Sequence, residues 1–473
     1  MSLMEAKDKR IAELETLLKA ALEKIARLKE RIAILEKHSG NSSKPPSSDI
    51  VKPPKDKDRR RKKRKIGAQK GHKKHSRTPF NKEQLDNIIE VKLEACPKCK
   101  GTIKRTNEPP KVHQQVDFNG KTLIITEYRR LQYQCDHCKR DCIAKRPLEL
   151  KSGLFSANLI AVTAYLKGRC HISYTTLQDF YKSLYSINVS TGFLANQIRK
   201  ASEALKQSYE ELVQQLPNEE HLHSDETGHK HNGKRYWTWC LRAKRFTVFH
   251  IDSTRSSIVL EYLLGSDYEG TISSDYYAVY CKFARLSSAS SQYCWSHLIR
   301  EIKYLADSSI QGVCCYGNRL LEQVRMMFKT LHCRGKIRDV TWFRRMYAHR
   351  DMILKVAWQR LPNNKDAINI AERLWNACSG YFHFIVSGVP PTNNLCEQSI
   401  RRVVIDRKIT QGTRSDWGDR WQERIWSVLS TCAQTGRDVL SFLRESVSSL
   451  FAERTFPSLL KNNRKNRNLK ITG

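Results

Sequence analysis

The sequence of 473 residues contains no apolar run of the roughly 18 residues that a membrane-spanning helix needs. It also begins with a charged, helix-forming segment instead of a secretory signal, so we expect a cytoplasmic protein. Acidic residues are scarce, because 48 Asp and Glu face 84 Lys and Arg and leave a formal net charge of +36. This balance favours polyanionic partners, above all nucleic acid. An anionic membrane surface is the weaker alternative, since no basic amphipathic helix stands out.

Paired cysteines are also few. The 15 cysteines are odd in number and mostly scattered, which argues against a disulfide framework and for a reducing compartment. Two CxxC pairs are the exception, and such turns direct their thiolates towards one tetrahedral zinc ion. The expected zinc ligands are Cys96, Cys99, Cys135 and Cys138. His137 or Cys142 is an alternative for one ligand, and a redox CxxC or free thiols are the alternatives to zinc.

The predicted zinc ligands lie in residues 81–147, which we expect to form a small zinc-binding β segment. Residues 122–128, TLIITEY, alternate as a β ribbon does. A segment this short needs a metal ion or a disulfide to stabilise its fold. A purely structural role would therefore be enough to account for the zinc.

The N-terminal residues 1–38 carry a heptad pattern that predicts a coiled-coil oligomerisation helix. Ile dominates the a positions and Leu the d positions, a combination that favours a parallel dimer. The a positions are Ile11, Leu18, Ile25 and Ile32, and the d positions are Leu14, Ala21, Leu28 and Leu35. The alternative is an amphipathic helix that packs on its own chain.

Residues 39–80 lose this periodicity and predict a basic disordered linker. The stretch HSGNSSKPPSSD is rich in Ser and Pro and cannot build a core. Seven consecutive basic residues follow, and such a block neutralises phosphates without reading sequence. They are Arg59, Arg60, Arg61, Lys62, Lys63, Arg64 and Lys65. The alternative is a solvated tail that serves solubility.

Residues 148–216 are predicted to be helical. Apolar residues recur at helical spacing, and Ser173 and Ser190 stand where helix N-caps are expected. Short helices with tight turns suggest a DNA-binding helix-turn-helix, and a plain helical bundle is the equal alternative.

From residue 217 the pattern changes to short strands. Strands are expected at 221–225, 236–242, 246–251, 270–275 and 292–297, with a helix at 298–305. This order suits a multidomain α/β protein with a ribonuclease-H-like core. The core would comprise residues 217–305 and 376–450, interrupted by a helical insertion at 306–375 and followed by a basic tail at 451–473.

Three acids in this region are candidate catalytic residues. Asp225 and Asp275 end predicted strands, and Glu397 follows a helix start that Thr392 or Asn393 is able to cap. In such a core the three carboxylates would converge, which is unfavourable unless cations neutralise them. Two Mg²⁺ or Mn²⁺ ions about 4 Å apart would do so and would clamp the oxygens of a phosphodiester.

The neighbour of Asp225 is also acidic. By strand alternation Asp225 shares a face with His223, and Glu226 points to the other face. We therefore assign the metal to Asp225 and regard Glu226 as a turn or supporting residue.

Several basic side chains near these acids are candidate DNA ligands. Arg401 lies four residues after Glu397 on the same helix face and would hold the scissile or a flanking phosphate, and Arg402 is a further candidate DNA ligand. A plain surface charge is the alternative. His297 shares a predicted strand face with Trp295 and would contact a phosphate or be a satisfied structural histidine.

The motifs, taken in order, resemble bacterial transposases of the insertion-sequence sixty-six family over nearly the whole chain. They are the N-terminal zipper, NSSKPPSSD, the paired CxxC segment, HSDET, SDYYAVY, CWSHLIRE and NNLCEQSIRRVVIDRK. Members of that family are DDE transposases, so the resemblance implies that Asp225, Asp275 and Glu397 are the catalytic acids. Two departures stand out: Tyr276 replaces a usual Gly, and CWSH lacks the two Arg that usually follow. Neither departure removes a carboxylate.

The resemblance implies a bacterial, nucleoid-associated enzyme that acts on double-stranded DNA. It would bind the ends of its element, hydrolyse phosphodiester bonds with two divalent metals to free a 3′-OH, and join that end to target DNA. The coiled coil would make it a homodimer or a higher homo-oligomer. The alternatives are a transposon-derived regulator without catalysis and a structure-specific nuclease without strand transfer.

Overall fold

The structure, a computed structural model, describes residues 151–461 and short pieces nearer the N-terminus. These pieces are the helical residues 13–22, 24–25 and 28 of helix α1 and the strands β1 (Gln132–Gln134) and β2 (Asp141–Ile143). The rest of the predicted coiled coil, the basic linker, the four predicted zinc ligands and residues 462–473 lie outside the described residues. None of the described helices is both long and apolar enough to cross a membrane.

A mixed five-stranded sheet forms the centre of the fold, in the order β5-β4-β3-β6-β7. The strands are β3 (His221–His231), β4 (Lys234–Arg242), β5 (Thr247–Asp252), β6 (Thr271–Ser274) and β7 (Ser290–Tyr293). β3, β4 and β5 pair antiparallel, whereas β6 runs parallel to β3 and β7 runs parallel to β6. The predicted mixed α/β class and the hairpin between β4 and β5 are confirmed.

β3 is longer than the predicted strand 221–225. It continues to His231 because Asn232 and Gly233 have φ values of 48° and 79°, as the two central residues of a tight β-hairpin do. Asn-Gly is the sequence signal for such a turn. Glu226 therefore lies within a strand, and its assignment to a turn is wrong.

Helices before and after the sheet share one hydrophobic core with it. They are α2 (Ala157–Arg169), α3 (Tyr174–Tyr185), α4 (Thr191–Ala204), α5 (Lys206–Gln215), α6 (Ile258–Leu264), α7 (Ala278–Leu286), α14 (Asn394–Thr410), α15 (Asp416–Thr435) and α16 (Val439–Ala452). The two predicted N-caps are confirmed, because Ser173 Oγ accepts from the Thr176 N–H at 3.1 Å and Ser190 Oγ from the Phe193 N–H at 3.0 Å.

Helix α15 covers the edge strand β5 with polar side chains one turn apart. Thr431, Ser427 and Glu423 accept the backbone N–H groups of β5 at 3.1, 2.9 and 2.7 Å. An uncovered edge strand would leave these donors free to pair with another chain. This contact therefore closes one side of the sheet.

The predicted helical insertion forms a second buried cluster with the helix after β7. Its helices are α8 (Trp295–Ala306), α9 (Gln311–Leu331), α10 (Asp339–Trp358), α11 (Lys365–Asn376), α12 (Cys378–Phe382) and α13 (Phe384–Ser387). Trp342 is fully buried, whereas Trp358 is 44% exposed. Of these two insertion tryptophans, only Trp358 is therefore open to a partner.

Trp295 and His297 do not lie on a strand, contrary to the prediction. β7 ends at Tyr293, and both residues belong to the first turn of α8. The Trp295 indole is fully buried and donates to the Tyr381 carbonyl oxygen at 2.6 Å. Trp295 therefore supports the core, and His297 points elsewhere because it lies two residues further around the helix.

Candidate active site

Asp225 lies on β3, and Asp275 directly follows β6, the strand that runs parallel to β3. The register of β3 and β6 pairs His221 with Thr271 and ends at His223 opposite Ser273. Continuing this register by two residues along each strand places Asp225 opposite Asp275. The sheet therefore brings two acids together that are far apart in sequence.

Glu397 belongs to the first turn of α14, which packs against β3. Its Oε1 lies 3.4 Å from Arg300 Nη2 and 3.6 Å from His297 Nδ1, and both partners are on α8. The Glu397 side chain is 36% exposed, so this acid is the open side of the group. Helices α8 and α14 thus position the third carboxylate.

The electrostatics show that the three acids form one group. The pKa of Asp225 lies well above its ordinary value. The largest cause is burial, and the second is the charge of Glu226. The charges of Asp275 and Glu397 raise the Asp225 pKa further. Burial and then Glu226 raise the pKa of Asp275 to about 7, although Arg255 opposes the rise. Burial also raises the pKa of Glu397, against the charge of Arg300.

One carboxylate oxygen in this group lacks a partner. Asp275 Oδ1 is buried and has no hydrogen-bond donor among the described residues. A buried acceptor without a donor is costly, and a crowd of carboxylates is costlier still. Oxygen donors of this kind are the ligands that Mg²⁺ and Mn²⁺ prefer. Asp275 Oδ1 is therefore a candidate ligand atom for a divalent cation.

Glu226 supports the site from the other face of β3. It is buried, and its carboxylate pairs with the Arg255 guanidinium and accepts from the Tyr280 phenol. Arg255 also stacks between Trp237 and Tyr277, at 4.6 and 3.9 Å from their ring centroids. Glu226 is thus a buried, ion-paired acid whose charge raises the pKa of both Asp225 and Asp275.

Asn393 joins the strand of Asp225 to the helix of Glu397. Its Nδ2 donates to the Ser224 carbonyl oxygen at 2.7 Å, and its Oδ1 lies 3.0 Å from His223 Nδ1. Asn393 stands at the predicted cap position of α14, yet its side chain makes no cap hydrogen bond. The side chain forms its hydrogen bonds with β3 instead.

The CWSH motif contributes two further groups. Cys294, His297 and Glu397 bring ligand atoms within 4.8 Å of one another. His297 Nδ1 is buried and has no hydrogen-bond partner in the described part of the chain, and burial lowers its pKa to about 4. His297, predicted as a phosphate ligand, therefore stands as a neutral imidazole beside Glu397. The sequence pattern placed His297 on a strand and therefore did not predict that it lies beside Glu397.

A second His and Asp cluster fixes the far end of β3. His231 Nδ1 lies 2.6 Å from Asp419 Oδ2, whereas its Nε2 lies 3.8 Å from Asp416 Oδ1. Because the two carboxylates face different ring nitrogens, the imidazole bridges them and does not share one ion with them.

Gly412, with φ 101°, lets the loop after α14 press on Lys230, where a Cβ would meet the backbone oxygen at 2.2 Å.

The other predicted DNA ligands are distributed as follows. Arg401 is exposed on the flank of α14 that carries Glu397, and Arg402 is half-buried on another flank. The basic residues 59–65 and the predicted zinc ligands lie outside the described residues. The structure thus brings together the three acids, His297 and Arg300.

Comparison with known families gives two matches. A family described as "Transposase IS66 family" matches residues 152–420, which include the sheet, the three acids and the helical insertion. A family of unknown function (DUF6444) matches residues 3–78. No curated protein matches the chain. The resemblance identified from the sequence motifs is confirmed.

Proposed function

Because the chain belongs to the IS66 family of transposases, we propose that it is a DDE transposase whose catalytic acids are Asp225, Asp275 and Glu397. The observation that carries this proposal is that the charges of Asp275 and Glu397 both raise the pKa of the buried Asp225, after burial and Glu226, while Asp275 Oδ1 has no hydrogen-bond donor among the described residues. Such a group suits metal binding better than a structural role, because the metal-free acids repel one another. We propose two Mg²⁺ or Mn²⁺ ions.

We further propose that the core is ribonuclease-H-like. The strand order β5-β4-β3-β6-β7 supports this, with three antiparallel strands followed by two parallel ones. The positions of the acids also support it, because Asp225 lies on β3, Asp275 directly follows the neighbouring strand β6, and Glu397 lies on a helix that packs against β3. A helical insertion with its own buried cluster separates Asp275 from Glu397.

The chain's own residues would perform distinct tasks. Asp225, Asp275 and Glu397 would hold the ions, which supply Lewis-acid stabilisation of the attacking and leaving oxygens. Arg300 Nη2, at 3.4 Å from Glu397 Oε1, would orient this acid, and His297 Nδ1 lies 3.6 Å from the same oxygen. Arg401 would hold a phosphate next to the scissile one, because it shares a helix flank with Glu397. The products would be a free 3′-OH and then a joined target strand.

The remaining parts would bind and pair the element ends. The +36 net charge supports DNA as the partner, and the basic residues 59–65 would neutralise phosphates. Helices α2 to α4 would contribute end recognition. β1 and β2 pair antiparallel on either side of the Cys135-Asp-His-Cys138 sequence, which supports a zinc knuckle there. The exposed apolar residues of α1 support a coiled-coil homodimer.

Cleavage and strand-transfer assays on a duplex that carries the element end test this proposal. We expect Asp225→Asn, Asp275→Asn and Glu397→Gln each to abolish strand cleavage with Mg²⁺ or Mn²⁺ while DNA binding persists. Asp307→Asn, which changes an exposed acid at the end of α8, is the matched control and should cleave normally.

Two results would overturn parts of the proposal. Full cleavage by any one carboxylate variant would remove that residue from the site. Cleaved ends that are never joined to target DNA would instead identify a nuclease without strand transfer.

A further inference from the structure

A surface cavity lies beside α14, on a flank away from Glu397. It has a volume of about 180 Å³, more than ten times the roughly 10–15 Å³ that a single water needs. Its lining residues come from β4, α14 and α15, and they are Arg242, Gln398, Ser399, Arg402, Ser430, Ala433 and Gln434. The cavity therefore has room for a hydrated oxyanion.

The cavity has two guanidinium groups and no acid. None of its lining residues is Asp or Glu. Arg402 Nη1 is buried and has no hydrogen-bond partner among the described residues. Burial and then the nearby charge of Arg169 lower the Arg402 pKa. Arg242 donates to Ser399 Oγ at 2.8 Å, which holds its guanidinium against α14. A buried, unpaired donor surrounded by other cations calls for an anion.

The position of Arg242 connects the cavity to the catalytic sheet. Arg242 lies opposite His223 in the β3–β4 register, so the two side chains project from the same face. That face carries α14, and Asp225 follows His223 by two residues on it. The cavity is thus anchored on the same strand pair as the first catalytic acid.

The cavity and Glu397 lie on different flanks of α14. Arg402 follows Glu397 by five residues, which corresponds to a rotation of roughly 140° around the helix axis. The exposed side chains of Arg401, Ile405 and Lys408 lie between the two flanks. A phosphate in the cavity would therefore belong to a nucleotide other than the one that is cleaved.

We propose that the Arg242–Arg402 cavity is a binding site for a phosphate group, and that the phosphate is one of the DNA backbone. The proposal rests on the proposed function, because it assigns the cavity to the DNA that the three acids would cleave. Two guanidiniums suit this ligand, since the planar fork of Arg matches phosphate oxygens. The cavity would fix the path of DNA across α14.

The first arm of the test measures DNA binding by the full-length protein. Affinity for a random-sequence duplex is measured against salt for the wild type and for the double variant Arg242→Gln/Arg402→Gln. Losing one neutralised phosphate should flatten the slope of log K against log salt by about 0.9. Arg444→Gln, which removes an exposed charge on α16, is the control and should leave the slope unchanged.

The second arm uses inorganic phosphate alone. Phosphate should raise the midpoint of thermal unfolding of the wild type above that in chloride of equal ionic strength, and the double variant should lose this rise. Arg402→Lys retains the charge but not the fork, so it should keep the salt slope and lose most of the phosphate effect. This variant keeps the test decisive if the double variant does not fold.

The outcomes separate the sources of the phosphate. Loss of both effects in the double variant supports a backbone phosphate. An unchanged salt slope with a lost phosphate effect overturns the DNA assignment and leaves a site for free phosphate. An identical phosphate effect in wild type and variants overturns the site itself. Neither arm needs cleavage, so failure of the carboxylate variants to lose activity would not be mistaken for failure of this site.

Discussion

His223 and Asn393 are hydrogen-bonded side chain to side chain, with His223 Nδ1 at 3.0 Å from Asn393 Oδ1. Since Asn393 Nδ2 donates to the Ser224 carbonyl oxygen, its Oδ1 is the acceptor and the imidazole carries its proton on Nδ1. Burial lowers the pKa of His223 to about 4, so the ring is neutral near pH 7. The Asn393 amide thus links the strand of Asp225 to the start of the helix that carries Glu397.

We expect Asn393→Ala to lower the cleavage rate by roughly 10- to 100-fold, because small misplacements of a catalytic group cost about that much. DNA affinity should stay close to wild type, and the Mg²⁺ concentration for half-maximal cleavage should rise. Asn394→Ala, one residue along and exposed, is the control. Wild-type metal dependence with a merely lower melting temperature would show that Asn393 only stabilises the fold.

The Asp275 pKa of about 7 predicts a gain in stability when this acid is neutralised. An unfolded Asp titrates near 3.9, so the folded state holds more protons between about pH 4 and 7, and stability falls as the pH rises through that window. In EDTA at pH 8, Asp275→Asn should therefore unfold at a higher temperature than wild type. Its free energy of unfolding should be larger by about 1–3 kcal/mol.

The same comparison at pH 5 is the internal control for Asp275. There the wild-type carboxyl is already largely protonated in the folded state, so the gain should shrink. Asp307→Asn, which alters an exposed acid, is the second control. A lower melting temperature of Asp275→Asn at pH 8 would contradict the repulsion that we infer.

The paired CxxC motifs predict about one zinc ion per chain. Metal analysis of freshly reduced protein should find it, and Cys135→Ser should release it. Cys170→Ser, which alters an exposed free thiol, is the control and should retain the metal. Full zinc content in Cys135→Ser would transfer the ligand role to His137 or Cys142, and the absence of zinc in the wild type would rule out the site.

The N-terminal helix predicts self-association. Leu14, Leu18, Ile25 and Leu28 are 51%, 61%, 48% and 51% exposed in the single chain, although they occupy a and d positions. Deleting residues 1–38 should lower the oligomeric state measured by light scattering. Leu18→Glu should do the same, whereas Lys19→Glu at a b position should not. An unchanged mass after the deletion would mean that the helix packs within its own chain.

The basic arm at residues 52–77 predicts a salt effect larger than that of the Arg242–Arg402 cavity. It contains 14 Lys or Arg against two Asp. If about five of these contact phosphates, deletion should flatten the slope of log K against log salt by about 4–5. Random and element-end DNA should lose affinity by similar factors. A selective loss on the element end would show that the arm reads a groove.

Local patterns in the sequence predicted much of the fold. The alternation in β4 and β5, the serine caps of α3 and α4, and the position of α14 all depend on neighbouring residues, and the structure agrees. The length of β3 was also encoded locally, in the Asn232-Gly233 turn. The helix at Trp295 was missed because four residues of CWSH fit a strand and a first helical turn equally well.

Contacts between distant segments left no local signal. The hydrogen bonds from α15 to β5, the Asn393 link and the Arg242–Arg402 cavity join residues more than 150 positions apart. The three acids were found because motifs of a known family mark them, not because spacing brings them together. The pairing of Glu226 with Arg255 and Tyr280 likewise appears only once the sheet is assembled.

The wide sequence separation of the linked segments has a consequence for synthesis. His223 and Asn393 are 170 residues apart, and at about 5–20 residues per second a ribosome needs roughly 10–30 s to make the intervening chain. During this interval α15 has not been made and does not cover the edge of β5. Asp225 and Asp275 are then present without Glu397. A chain that ends before α14 therefore lacks both Glu397 and the helix that covers the edge of β5.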